Sequence, residues 1–244
     1  MNCKLCCEEK HLIRSHIIPE SFYRLEEKID PKRKLISNRK NFYERRTPKG
    51  IYDRILCADC EKKFGSWDHY GYEFFSKEMK DGEVLECRGK RVAIKINKFD
   101  YKTLKLFFLS VLWRAGVSSH TFFKRVKLGP HEEKLKNHIL NNDPGSPSEY
   151  SIVLSQYDYP DKLVPMLDPD LKKWEGVNAY RFYFGSLMAL IKVDRQLFKG
   201  MFSRLSLTPD SELHVVLRDY LKSSEREVMR KIVLTNENIM RRRG

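Results

Sequence analysis

Two Cys-x-x-Cys pairs stand in the first quarter of the chain, Cys3 and Cys6 in CKLC, and Cys57 and Cys60 in CADC. A pair with this spacing occupies two corners of a tetrahedron, so two pairs complete a four-cysteine zinc site. The pairs lie further apart than in a compact zinc ribbon. The alternative is that each cysteine is simply a small buried apolar group. Cys7 could replace Cys6 as a ligand, and Cys87 is expected to pack elsewhere. Between the pairs stands His16, in SHIIP. An imidazole titrates near neutrality without tuning and can serve as a general base. An isolated histidine on an apolar strand is otherwise a core residue. Glu61 follows Cys60 directly, and Asp68 and His69 stand about two helical turns further on. Carboxylate oxygens suit magnesium or manganese. Against this, Glu61 reads equally as an acid favoured by a helix N-terminus, and Asp68 and His69 as helix surface.

These groups need a frame, and the composition says what frame is available. The chain has 244 residues, enough for one or two domains with a real core. Lys and Arg number 47 against 33 Asp and Glu, a formal net charge of +14. Such a surplus favours a polyanionic partner, most simply nucleic acid, with an anionic membrane surface as the competing reading. No apolar stretch reaches spanning length; LFFLSVLW is far too short. The polar, cysteine-bearing start is unlike a secretory signal. The expected setting is therefore a reducing cytoplasm, where spaced cysteines are metal ligands rather than disulfides.

Two regions are expected, a metal module over residues 1–82 and an α+β body over residues 83–244. Within the module, residues 31–49 form a basic insertion that carries Lys32, Arg33, Lys34, Arg39, Lys40, Arg45, Arg46 and Lys49 against one Glu. It shows no apolar period and reads as an exposed loop or short ribbon. These eight cations are the candidate phosphate contacts. Phe42 and Tyr43 among them either stack on an unpaired base or pack on the module. Residues 83–99 alternate about Arg88-Gly89-Lys90 and predict a hairpin. A helix is predicted from Asp100 as N-cap, with Leu104, Phe107, Phe108, Val111 and Leu112 as its apolar face and Gly116 as its stop. Trp113-Arg114 near its end is assigned to the core, the alternatives being a cation–π pair or a partner surface. A second helix begins near Pro130 and ends at the Asn-Asn-Asp-Pro-Gly run. Three strand-like pieces follow, EYSIVLSQY, AYRFYFGSLMALIKV with a break at Gly185, and LHVVLRDYL. The proline-rich piece between the first two reads as irregular. A last helix is predicted from Ser224, with Glu227 in capping-box spacing.

CKLC, SHIIP and LCADCE together resemble the HNH endonucleases of the His-Me finger, or ββα-metal, superfamily. The resemblance covers about residues 1–75. It implies a treble-clef-like zinc module in which a hairpin presents His16 and a helix starting near Cys60 closes the site. It implies that His16 is the base that activates water against a phosphodiester, with one divalent cation, magnesium or manganese, at the leaving oxygen. Carried over by position, Asp53 falls near the family's asparagine, and Glu61 stands where a metal-binding histidine often stands. Asp68 and His69 are further ligands for the cation. Ser15 occupies a position that is often a metal-gripping aspartate. The resemblance thus implies an endonuclease acting on DNA, with RNA as the alternative substrate, of the kind found in restriction and phage defence. The C-terminal body would then set target choice, or recruit a protein partner or a second copy. The departures at Ser15, Asp53 and Glu61 leave a rival expectation, a zinc-stabilised nucleic-acid-binding or adaptor protein without catalysis.

Overall fold

The computed structural model describes residues 1–27, 34–35, 45–46, 50–159, 166–209 and 212–236. In chain order the elements are β1 (Leu12–His16), α1 (Glu20–Glu27), β2 (Lys34–Leu35), β3 (Arg45–Arg46), β4 (Tyr52–Cys57), α2 (Ala58–Glu73), β5 (Glu83–Cys87), β6 (Lys90–Ile96), α3 (Tyr101–Val117), α4 (His131–Leu140), β7 (Ile152–Tyr157), β8 (Asp170–Trp174), β9 (Val177–Phe184), β10 (Leu187–Lys192), α5 (Gly200–Arg204), β11 (Leu213–Arg218) and α6 (Ser224–Thr235). A short π-helical turn, Phe74–Glu78, extends α2. The class is mixed α+β, and no described helix is long and apolar enough to cross a membrane. Of the basic insertion, Lys32, Arg33, Arg39, Lys40 and Lys49 lie outside the described residues, as do Phe42 and Tyr43. Lys34 belongs to β2, which pairs antiparallel with β3, the strand of Arg45 and Arg46.

Among the described residues, seven strands form one sheet in the order β5-β6-β11-β7-β10-β9-β8. Every pairing is antiparallel except β11 with β7. β9 is buried on both faces, and its alternation sorts the two cores. Phe182 and Phe184 face the larger one; Ala179 and Tyr183 face the smaller. Tight turns close the hairpins. Arg88 and Gly89 both have positive φ, 52° and 71°, which suits the two-residue turn joining β5 to β6. The predicted break at Gly185 is likewise a turn, between β9 and β10. The segment expected to be irregular contains a strand, β8, at the sheet edge. Its residues Leu171 to Lys173 are exposed, so no apolar pattern marks it.

α3 runs through the larger core, buried from Leu104 to Ala115. Asp100 caps it, one carboxylate oxygen accepting from the Thr103 backbone N–H at 3.0 Å. The helix passes Gly116 and ends at Val117, because Gly116 lies against Leu128 rather than at a turn. α2 crosses α3 closely: a Cβ on Gly71 would meet the Phe107 ring at 2.7 Å. α6 starts as predicted, but its cap is Ser223, whose hydroxyl accepts from the Arg226 N–H at 3.2 Å. The larger core is continuous from Cys3, Leu5 and Phe22, through α2 and α3, to Phe184 on the sheet. Phe22 stacks on Phe107 at 5.6 Å between centroids and meets Phe184 at 5.2 Å.

Candidate metal centre and adjoining charged site

β1 and β4 pair antiparallel, with Leu12 opposite Cys57 and His16 opposite Tyr52. α2 begins at the residue after Cys57, so the second strand of the pair leads directly into a helix. The first cysteine pair folds onto this unit as a tight turn. The Cys7 N–H donates to the Cys3 carbonyl at 2.9 Å, and the Lys4 N–H to that of Ile55 at 2.9 Å. Cys7 takes the left-handed conformation, φ 63°, that closes the turn. Its thiol points away from the cluster and accepts a hydrogen bond from Lys136 Nζ at 3.2 Å.

The Sγ atoms of Cys3, Cys6, Cys57 and Cys60 all lie within 4.8 Å of one another. Those of Cys6 and Cys57 are 4.0 Å apart. Tetrahedral zinc with Zn–S bonds of about 2.3 Å sets sulfurs about 3.8 Å apart, so this donor set fits the ion. Burial works against ionising Cys3, yet backbone N–H groups of Cys6, Cys57 and Leu5 aimed at its sulfur outweigh it and bring the thiol down to about 7. The Cys57 N–H stands 3.4 Å from that sulfur. Burial and the crowding of its sulfur neighbours hold Cys60 well above the ordinary thiol range. Four thiols cannot all ionise side by side without a cation; a bound metal supplies that charge. The four cysteines can thus hold a metal such as zinc.

Beside this centre, three elements bring charge together. Ile17 and Ile18 are buried, and the Ile17 N–H donates to Ile51 O at 3.2 Å, so the chain leaving β1 is pinned. That fixes His16, whose Nε2 lies 4.0 Å from a Glu20 carboxylate oxygen and whose ring meets Tyr52 edge-to-face at 5.9 Å. Ser15 is fully buried, and its hydroxyl makes no well-formed hydrogen bond. Glu61 and Asp68 face the same region from α2. The Glu61 Oε2 is also buried without a well-formed hydrogen bond. Burial pushes the Glu61 carboxyl up, with Arg114 and the nearby Ser15 hydroxyl pulling against it. Burial pushes Asp68 up as well, again opposed by Arg114.

Arg114 organises the group. It is completely buried and grips Asp68 with both arms of its guanidinium, at 2.6 and 2.9 Å. The same Nη1 donates to the His16 backbone carbonyl at 2.9 Å, and Nη2 to the Ser110 hydroxyl at 3.1 Å. One guanidinium therefore ties α3 to α2 and to the end of β1. Its carbon lies 4.9 Å from the centre of the Phe64 ring. From the sequence, Arg114 is assigned to the core, with no carboxylate partner named for it. The available signal was a lone arginine inside an apolar helical run, since an arginine there must find a partner.

The structure gathers Glu61 and Asp68 near His16. Asp53, opposite Ser15 in the ladder, and His69 are engaged with partners outside that group. The Asp53 carboxylate accepts from the Ser118 hydroxyl at 3.0 Å and from the Ser119 N–H and hydroxyl at 2.7 and 2.9 Å. These bonds hold its pKa below the usual carboxylate value in spite of burial. His69 is exposed and lies 3.3 Å from Glu73, one turn on. Among the described residues, the four cysteines are the one group of three or more His, Cys, Asp or Glu whose ligand atoms are this close. Compared with protein-family models, curated proteins and solved structures, the chain matches none.

Proposed function

We propose that the chain is an HNH-type endonuclease that hydrolyses phosphodiester bonds of nucleic acid, DNA before RNA. The observation that carries this reading is the setting of His16. It ends a strand whose partner leads straight into a helix, four cysteines join the ends of that unit, and a carboxylate with an unpartnered buried oxygen, Glu61, stands beside it. In this reading His16 takes the proton from the attacking water, and the Glu20 carboxylate at 4.0 Å stabilises the imidazolium that forms. Magnesium is commonly held by one or two carboxylates together with substrate phosphate. Glu61 would be that carboxylate, and the bound ion would act as a Lewis acid on the phosphate. Arg114 and Asp68 hold the backbone at His16 in place. The net charge of +14 draws the phosphate backbone to the surface.

A second reading, a zinc-stabilised nucleic-acid-binding adaptor, is favoured by the engagement of Asp53 with Ser118 and Ser119 and of Asp68 with Arg114. One assay separates the two. Wild-type protein is incubated with plasmid and with RNA in magnesium or manganese, beside His16→Ala. The endonuclease reading expects cleavage by wild type and none by the variant, with binding retained in both. Binding without cleavage in either leaves the adaptor.

A further inference from the structure

We propose that Arg14 and Tyr52 form a stacking platform for an unpaired nucleotide, seated directly beside His16. This deepens the phosphodiester reading and rests on it, because it names single-stranded or locally opened nucleic acid as the substrate class. Tyr52 is 37% exposed, although Ile55, Leu56 and Cys57 on the same strand are buried. The Arg14 guanidinium lies 3.5 Å from the centre of the Tyr52 ring. The β1–β4 ladder shifts register between Ile13 and Ser15, where the single β1 residue Arg14 faces two residues of β4, Arg54 and Ile55. An extra residue in a ladder re-aims a side chain, and such bulges sit preferentially beside active sites.

Arg14 and its neighbour Arg54 differ in one respect. Arg54 spends Nη1 on the Leu12 carbonyl at 3.1 Å. Among the described residues, no carboxylate pairs with Arg14, so its donors remain open to a phosphate. Its outer face, backed by a tyrosine ring, is the kind of plane on which a splayed base stacks. Paired bases inside a duplex already stack on one another and cannot use it. Tyr52 is also the ring that meets His16 at 5.9 Å. A nucleotide stacked here sets an adjoining phosphodiester at the imidazole.

The test uses the full zinc-loaded chain without added magnesium, and follows the anisotropy of labelled oligo(dT), oligo(U) and a blunt duplex. Wild type is expected to bind the single strands more tightly than the duplex. Tyr52→Ala removes the ring that holds the guanidinium plane in place, and should weaken single-strand binding several-fold, about as much as Arg14→Lys, and change duplex binding little. Tyr52→Phe should bind as wild type. Arg14→Lys keeps the charge, loses the plane, and should weaken single-strand binding selectively. Zinc content per chain checks that each variant is folded. With magnesium present, Tyr52→Ala should raise KM, whereas His16→Ala removes kcat. The platform is overturned if wild type prefers duplex, or if Tyr52→Ala and Arg14→Lys bind single strands as wild type does. Binding that depends on Tyr52 without any cleavage keeps the platform and removes the hydrolase reading; no binding to any probe removes both.

Discussion

The side chain on which most of the site rests is Arg114. A guanidinium with no exposure is tolerated only when its charge and its donors are met. Asp68 meets the charge, and the His16 carbonyl and Ser110 hydroxyl take further donors. Removing one partner strands the other. Arg114→Met leaves the Asp68 carboxylate half-enclosed and unpaired, and should cost about 3–5 kcal/mol in urea unfolding. Arg114→Met combined with Asp68→Leu removes both charges and should regain most of that loss. If the double variant is no more stable than the single one, the pair is not the source of the cost. Part of this was readable in advance. The spacing of Glu61 and Asp68 puts them on one side of a helix, and SHIIP marks a strand end anchored by apolar residues. That the cation completing the group comes from residue 114 was not readable, because no local pattern links it to His16.

At the scale of elements, α3 carries two buried cations and meets them differently. Arg114 is matched by a carboxylate. Lys105 is matched by neutral groups, its ammonium donating to Ser146 O at 2.6 Å and to the Tyr101 hydroxyl at 3.2 Å. Burial pulls Lys105 down to about 8, with Glu149 and Asp143 opposing. Unfolded, a lysine titrates near 10.4. Between about pH 8 and 10.4 the unfolded chain still holds a proton that the folded chain has released, so this residue's contribution to stability rises with pH there. Below pH 8 its full cost is present. The stability advantage of Lys105→Met over wild type should therefore shrink by about 3 kcal/mol from pH 7 to pH 10.5 in urea unfolding. A constant difference between the two proteins would refute it. A second buried ionic group lies across the sheet, where Arg181 grips Asp170 at 2.8 Å and joins Arg218 on Glu225. The long helices and the hairpins announced themselves through apolar period and turn residues. β8 did not, since an exposed edge strand needs no alternation.

At the scale of the whole molecule, the thiolate centre and the sheet share one core, because Phe22 and Phe107 connect the two. Metal removal should accordingly be local at first and then spread. A strong chelator is expected to release one zinc per chain. Hydrogen exchange should then lose protection around residues 1–23 and 50–64, while β9 and β10, buried on both faces, stay protected. Absence of bound zinc in the purified protein, or equal loss of protection everywhere, would contradict this. The four cysteines were legible from spacing alone, because a metal ligand pair is a local pattern and the chemistry of thiolates leaves few other uses for it. The α+β class and the main helices and hairpins were legible too, since period and turn chemistry are written within a few residues. The partners of Asp53 and Asp68, and the pairing of Arg14 with Tyr52, were decided only by tertiary structure. Each depends on contacts between segments far apart in the chain, and the burial that pushes Asp68 up exists only once those segments meet.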